Sequence, residues 1–244
     1  MNSKPLATRF SRQSAVDACA QQLRSAILEG RLEAGTRLPP ERELAAQFGV
    51  NRVTLRTALA RLGSAGLLAT RQGSGHVVQD FRRRGGPGLI VGLVRIARSS
   101  DALRQAASDL FLVRRHLAMA VLERLTQVGE VDAAPLEAAV DVFADAVESG
   151  SLDALAAADI EVVGALVDAT QSVVLRLCLN PVVEVLGSSE PLRRAIYADP
   201  HSNLRAWRLV AAWCASGCPG EGASTVLELL HERDRHTLSL LQED

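Results

Sequence analysis

Lysine is almost missing from this 244-residue chain: Lys4 stands alone against 26 arginines, a ratio that reads as genomic codon bias rather than function. Aromatic residues supply only 3% of the sequence. No run of about 18 or more uninterrupted apolar residues occurs, which excludes an ordinary membrane-spanning helix. Met1 to Phe10 carries no apolar core followed by a small-residue cleavage site, so no secretory signal is expected. The four cysteines, Cys19, Cys178, Cys214 and Cys218, fall in stretches that read as helix, and no Cys/His set has zinc-finger spacing. A disulfide framework and a structural zinc are therefore disfavoured, and a reducing cytoplasm is the expected compartment. Also missing are a nucleophile–base pair, a phosphate-binding glycine loop and a metal set, so the chain is not expected to be an enzyme.

What is present is a hydrophobic share of 48%, typical of a globular chain with room for one large domain or two modest ones. The overall net charge of -1 hides a division. Residues 1–85 carry 14 basic and 6 acidic side chains, whereas residues 86–244 carry 13 and 22. A basic third joined to an acidic remainder fits a chain in which one domain meets a polyanion and the other does not.

The sign changes at Phe81-Arg82-Arg83-Arg84-Gly85-Gly86-Pro87-Gly88, a charge run mixed with helix breakers. The sequence thus predicts a first domain over 1–80, a linker over 81–88 and a second domain over 89–244. In the first, Val16, Cys19, Ala20, Leu23 and Ile27 recur at helical spacing and predict a helix over 15–29, closed by Gly30. A short strand around Arg37-Leu38 follows, then a helix over about 40–48 with Pro39 at its start and Glu41 and Glu43 in its first turn. Asn51 is a good N-cap for a third helix. Its stripe of Leu55, Ala58, Leu59 and Leu62 leaves Val53, Arg56 and Thr57 outward. Leu67 to Arg71 and His76 to Gln79 flank Gln72-Gly73-Ser74-Gly75 as a β-hairpin. Three helices, a small strand and a hairpin make a winged helix-turn-helix, whose third helix enters the major groove of DNA.

Beyond the linker, apolar positions at helical spacing predict helices over 102–127, 134–148, 152–169, 173–186, 203–216 and 222–241. The fold class is mainly α, a winged helix-turn-helix followed by an all-α helical bundle.

The run Ile27-Leu28-Glu29-Gly30-Arg31-Leu32-Glu33-Ala34-Gly35-Thr36-Arg37-Leu38-Pro39-Pro40-Glu41-Arg42-Glu43-Leu44-Ala45, with Phe48-Gly49-Val50-Asn51-Arg52-Val53-Thr54-Leu55-Arg56, resembles the N-terminal domain of GntR-family bacterial transcription regulators. Arg71-Gln72-Gly73-Ser74-Gly75 matches that family's wing. The remainder is similar to the helical domain of the FadR subgroup, on Phe81 and the glycine-rich crossover to Leu89, Leu112-Val113-Arg114, Asp159, and Trp207 to Gly217. The resemblance implies a homodimer that binds double-stranded DNA at a two-fold symmetric operator, and a helical domain whose small-molecule effector changes operator affinity. A rival class, an architectural protein without sequence choice, is separated by footprinting.

Arg52 and Arg56 lie one turn apart near the start of the third helix, where arginine can bond guanine O6 and N7 together; the alternative is a pair of solvated surface charges. The resemblance adds Arg42, Asn51 and Thr54 as contact positions, with Asn51 also acting as a cap. Gln72, Gly73 and Gly75 form the expected wing contact, the two glycines admitting close backbone approach to phosphate or the minor groove.

In the second domain two charges interrupt apolar stripes. Arg114 falls among Leu103, Leu110, Leu117 and Val121, and Asp159 among Leu152, Leu155, Val163 and Leu166. An inward charge is costly unless paired or hydrated. Either the two line an effector cavity, for which the arginine selects an anionic ligand, or they form a buried structural pair, or they sit at stripe edges and reach solvent. Many relatives bind a divalent metal through one Asp and three His, the first four residues after the Asp. Here that position is Val163, so no metal and no cofactor are expected. Fatty-acid-responsive relatives bind acyl-CoA through small and aromatic residues of the last helix; those positions fall near Leu230, Arg233 and Thr237, which do not match, leaving acyl-CoA supported only by overall similarity. Cys214 and Cys218, four apart, read as buried inert thiols rather than a sensor.

Overall fold

The computed structural model describes residues 12–71, 75–97, 99–129 and 131–241, and the chain divides into two units, 1–96 and 97–244. In the first unit, α1 (Arg12–Leu28), α2 (Glu41–Gln47) and α3 (Arg52–Ser64) precede a two-stranded antiparallel sheet of β1 (Leu68–Arg71) and β2 (Gly75–Val78). The apolar face of α1, from Val16 through Leu23 to Ile27, is buried, as is the α3 stripe of Leu55, Ala58, Leu59 and Leu62. Helix α2 opens after Pro40 with Glu41 and Glu43 in its first turn, where acids oppose the exposed backbone N–H groups. The strand expected at Arg37-Leu38 is a single bridge, Arg37 to Val77, flanked by Leu38 N–H donating to the His76 carbonyl (2.9 Å) and Val78 N–H to that of Thr36 (2.9 Å). The sheet register pairs Leu68 with Val78 and Thr70 with His76.

The expected linker over 81–88 does not exist as such. Phe81–Arg84 forms a short helix, α4, capped by the Asp80 side chain, and Pro87–Leu89 forms one turn of 3-10 helix. Leu89 is 5% exposed within the core of the first unit, and Phe81 packs on the same core. Helix α5 (Ile90–Ile96) continues the unit and packs against α1, where Gly92 leaves space for Leu28. The domain boundary therefore falls at Ile96–Ala97 rather than at residue 88. Glycine and arginine marked a break in periodicity correctly, but the apolar Phe81 and Leu89 anchor the segment. Gly66 fixes the adjoining turn: at φ +74 it faces the Arg84 carbonyl, which a Cβ would meet at 2.1 Å.

The second unit is all helical among its described residues: α6 (Ser100–Val128), α7 (Ala134–Ser149), α8 (Leu152–Ala169), α9 (Val173–Ser188), α10 (Glu190–Ile196), α11 (Pro200–Ala215) and α12 (Gly220–Leu240). Side-chain oxygens of Ser99, Ser151, Ser172 and Asp199 accept backbone N–H bonds at the starts of α6, α8, α9 and α11. Helices α7 and α8 pack as a hairpin, α6 lies against α9 and α12, and α11 lies against α7 and α12. Helix α10 was not anticipated, because seven residues give too few turns to show a period. Pro200 occupies the first turn of α11, where its missing N–H costs nothing. Cys218 lies beyond the end of α11 in a turn at φ +52, so the two thiols do not share a helix face. Both are nevertheless buried, and burial beside Cys218 pushes the Cys214 thiol up to about 12, which agrees with inert thiols.

Candidate functional site

On α3 the buried stripe turns inward and the opposite side is open. Arg52, Arg56 and Thr57 are exposed, and Val53 is 56% exposed between the two arginines. Arg42 on α2 is exposed as well. Asn51 does cap the helix: its Oδ1 accepts the Thr54 backbone N–H at 2.8 Å. Thr54 departs from the expected contact set. It is only 3% exposed, because its position falls on the inward side of the turn beside Leu55. Gln72 and Gly73 lie outside the described residues; Gly75 opens β2 opposite Arg71, exposed and at φ +73.

Glu41 is the residue that the sequence reading missed. Its Oε2 accepts from Arg56 Nη2 at 2.8 Å and Nε at 3.2 Å, and its Oε1 lies 3.5 Å from His76 Nε2 on β2. The His76 ring is in turn 3.3 Å from Thr70 Oγ1 on β1. One carboxylate thus ties α2, α3 and the hairpin together. The Arg56 guanidinium holds the Glu41 carboxyl below the usual carboxylate range, against a smaller opposing effect of burial. A fork held on one side by an acid keeps its geometry while remaining exposed for a phosphate or a base edge.

In the second unit, Arg114 and Asp159 line one cavity of about 110 Å³. Its walls come from α6, α8, α9, α11 and α12 and are aliphatic except for those two charges, Trp207 and Arg233. The two charges do not form a pair. Asp159, 4% exposed, accepts from Tyr197 Oη at 3.0 Å on one oxygen and from Trp207 Nε1 at 2.6 Å on the other. Burial next to this carboxylate drives the Tyr197 hydroxyl upward, so it stays a donor. Arg114 instead bonds Asp234 on α12 through Nη2 and stacks on Phe111, 4.8 Å from its centroid. Burial pushes the Asp234 carboxyl up, with Arg114 and Arg115 pulling it down. Asp234 also escaped the sequence reading, and Arg233 entered it only as a position that does not match the acyl-CoA residues. Val226, Leu230, Arg233 and Thr237 recur at spacings of four, three and four, so the interrupted-stripe signal that marked Arg114 was present on α12 too.

The residues around Asp159 do not fit a metal. Both its oxygens already receive neutral donors, Val163 lies one turn further along the same wall, and no group of three or more His, Cys, Asp or Glu suited to a metal occurs among the described residues.

Residues 15–78 match the gntR family of bacterial regulatory proteins, and residues 109–232, half of the chain, match the FCD domain. The chain belongs to the gntR family. An HTH-type transcriptional regulator of Mycobacterium tuberculosis is 32% identical over 228 residues, 93% of this chain and 90% of that protein. A fatty acid metabolism regulator protein of Escherichia coli is 26% identical over 223 residues, covering 90% and 89% of the two chains. The solved structure of Lar, which controls agr expression in Listeria monocytogenes, shares the fold, with a TM-score of 0.62 at 17% identity over 97% and 98% of the chains. This gntR-family protein is a FadR-like transcription regulator with a winged helix-turn-helix DNA-binding domain and an FCD effector domain, and it is not an enzyme. None of its described helices is long and apolar enough to cross a membrane.

Proposed function

We propose that the protein acts in the cytoplasm as a homodimer on a two-fold symmetric operator, and that a small anionic effector in the FCD cavity alters its DNA affinity. The observation that carries the DNA reading is the exposed face of α3, where Arg52 and Arg56 stand outward with Arg56 set by Glu41. Arg52 and Arg56 read base edges, Arg42 and Asn51 sit at the approach to phosphate, and the wing around Gln72, Gly73 and Gly75 reaches the neighbouring groove or backbone. A single module of this size buries too little surface for tight specific binding, which favours two copies. Helices α6 and α9, which pack on each other, leave Leu112, Val113 and Met119 and Val173, Val174 and Leu177 exposed. Those large apolar side chains suit the face that meets the second copy. The effector works only through unequal affinity for the two states of the dimer, typically by about 1–3 kcal/mol of coupling.

The test is operator titration at fixed salt with Arg52→Ala and Arg56→Ala. Each variant is expected to keep native circular dichroism and lose roughly tenfold to a hundredfold in specific affinity. Native-like binding by both variants overturns the assignment of this face.

A further inference from the structure

We propose that Glu41 is a specificity-determining residue: held to the hairpin by His76, it closes one edge of the Arg56 guanidinium and so commits that arginine to reading a guanine instead of pairing with phosphate. The proposal rests on the reading of α3 above and deepens it. Of the N–H donors of the guanidinium, those on Nε and Nη2 that share one edge are taken by a single Glu41 oxygen at 3.2 and 2.8 Å. The outer edge, between Nη1 and Nη2, keeps the remaining pair of parallel donors, on a side chain that is 70% exposed. Guanine presents the matching acceptors, O6 and N7, in the major groove.

Phosphate also offers two acceptors, so charge makes the choice. A carboxylate in contact with the guanidinium cancels much of its pull toward a phosphate and is itself repelled by one, whereas two hydrogen bonds to a neutral base edge survive. The bonds from Arg56 hold the Glu41 carboxyl below the usual carboxylate range, so the acid is charged at neutral pH. The carboxylate is also anchored against following Arg56 toward the DNA backbone. Glu41 stands in the first turn of α2, and its second oxygen lies 3.5 Å from His76 Nε2. The other ring nitrogen is 3.3 Å from Thr70 Oγ1. With its proton on Nε2, the neutral ring donates to Glu41 and accepts from the Thr70 hydroxyl, which uses both nitrogens. Thr70 and His76 are directly opposite each other in the sheet, so the hairpin itself supplies the anchor.

The test is selection from random double-stranded DNA with the full-length protein at fixed salt, followed by titration of the enriched duplex and of a scrambled one. Arg56→Ala identifies the half-site position that the arginine reads. Glu41→Ala is expected to relax that same position while the others are kept, and to lower the ratio of specific to scrambled affinity on the order of tenfold. Scrambled DNA should bind at least as tightly as before, with a salt slope steeper by about one per chain as the freed arginine takes a phosphate. Glu41→Gln, which keeps an acceptor and loses the charge, should fall between the two. Glu41→Ala added to Arg56→Ala should change discrimination no further, because Glu41 acts through Arg56. Glu43→Gln removes an acid from the same turn, whose carboxylate meets Gln47 at 3.4 Å instead, and should keep the preference. Melting temperatures should stay near native, since an exposed pair adds little stability. Should Glu41→Ala melt early, the comparison of Glu41→Gln with Glu43→Gln carries the same decision. An unchanged preference in Glu41→Ala where Arg56→Ala relaxes one, relaxation spread over all positions, or an equal effect of Glu43→Gln would overturn the proposal and leave Arg56 a base reader. No relaxation at any position in Arg56→Ala would instead overturn the reading of α3 on which the proposal stands.

Discussion

Arg114→Met tests the link between the first and last helices of the FCD domain. Arg114 on α6 bonds Asp234 on α12; the acid's side chain is 1% exposed, and its other oxygen lacks a hydrogen bond, with Arg115 Nη1 3.8 Å away. Removing the arginine leaves a buried carboxylate with only that distant partner, a change that costs about 3–5 kcal/mol when one member of a buried pair is lost. For a domain of this size that corresponds to a fall of roughly 6–20 °C in melting temperature. Tryptophan fluorescence follows the transition of this unit alone, since Trp207 and Trp213 both lie in it. The pH dependence has a definite sign. Burial raises the Asp234 carboxyl in the folded protein, so its favourable contribution is complete below the unfolded carboxyl value, about 3.9, and is lost as pH climbs through the folded value. Without Arg114 the folded value rises further, so the deficit is expected to be largest near neutrality and to shrink as pH falls toward 4. Adding Asp234→Leu should recover most of the loss, because no charge is then left unpaired. A deficit under about 1 kcal/mol at pH 7, or one that grows on acidification, would refute the pairing.

Two further outcomes follow from particular contacts. Gly66→Ala places a Cβ against the Arg84 carbonyl at a positive φ and is expected to cost the DNA-binding unit more than about 2 kcal/mol; far-ultraviolet circular dichroism should show an early transition while tryptophan fluorescence stays unchanged, and an unaltered melt contradicts the turn. Val174→Glu with Leu177→Glu puts charge on the exposed face of α9 and is expected to give a monomer by sedimentation velocity with weakened operator binding, whereas a dimer of native affinity would move the interface elsewhere.

The winged unit was readable because its signals are local. The cap at Asn51, the acids opening α2 and the α3 stripe each act within a few residues, and each was found where expected. Thr54 was misjudged since one position of helical rotation separates an outward from an inward side chain. The linker was misjudged because composition marked the break while two apolar residues, Phe81 and Leu89, decided the fold. In the FCD domain the stripe interruptions at Arg114 and Asp159 did mark one cavity. Their partners, Asp234 and the Tyr197–Trp207 pair, lie 120 residues from Arg114 and 38 and 48 from Asp159. Pairings at such separations leave no periodic trace.

The central claim, a dimer that reads a symmetric operator through α3 of each copy, meets its most direct test in selection from random double-stranded DNA with the full-length protein at fixed salt. Enriched sequences should be inverted repeats, bound with two protein chains per site, and the half-site preference should relax when Arg52 or Arg56 is replaced by alanine. Enrichment of no sequence, or of a single non-repeated site bound by one chain, would contradict it.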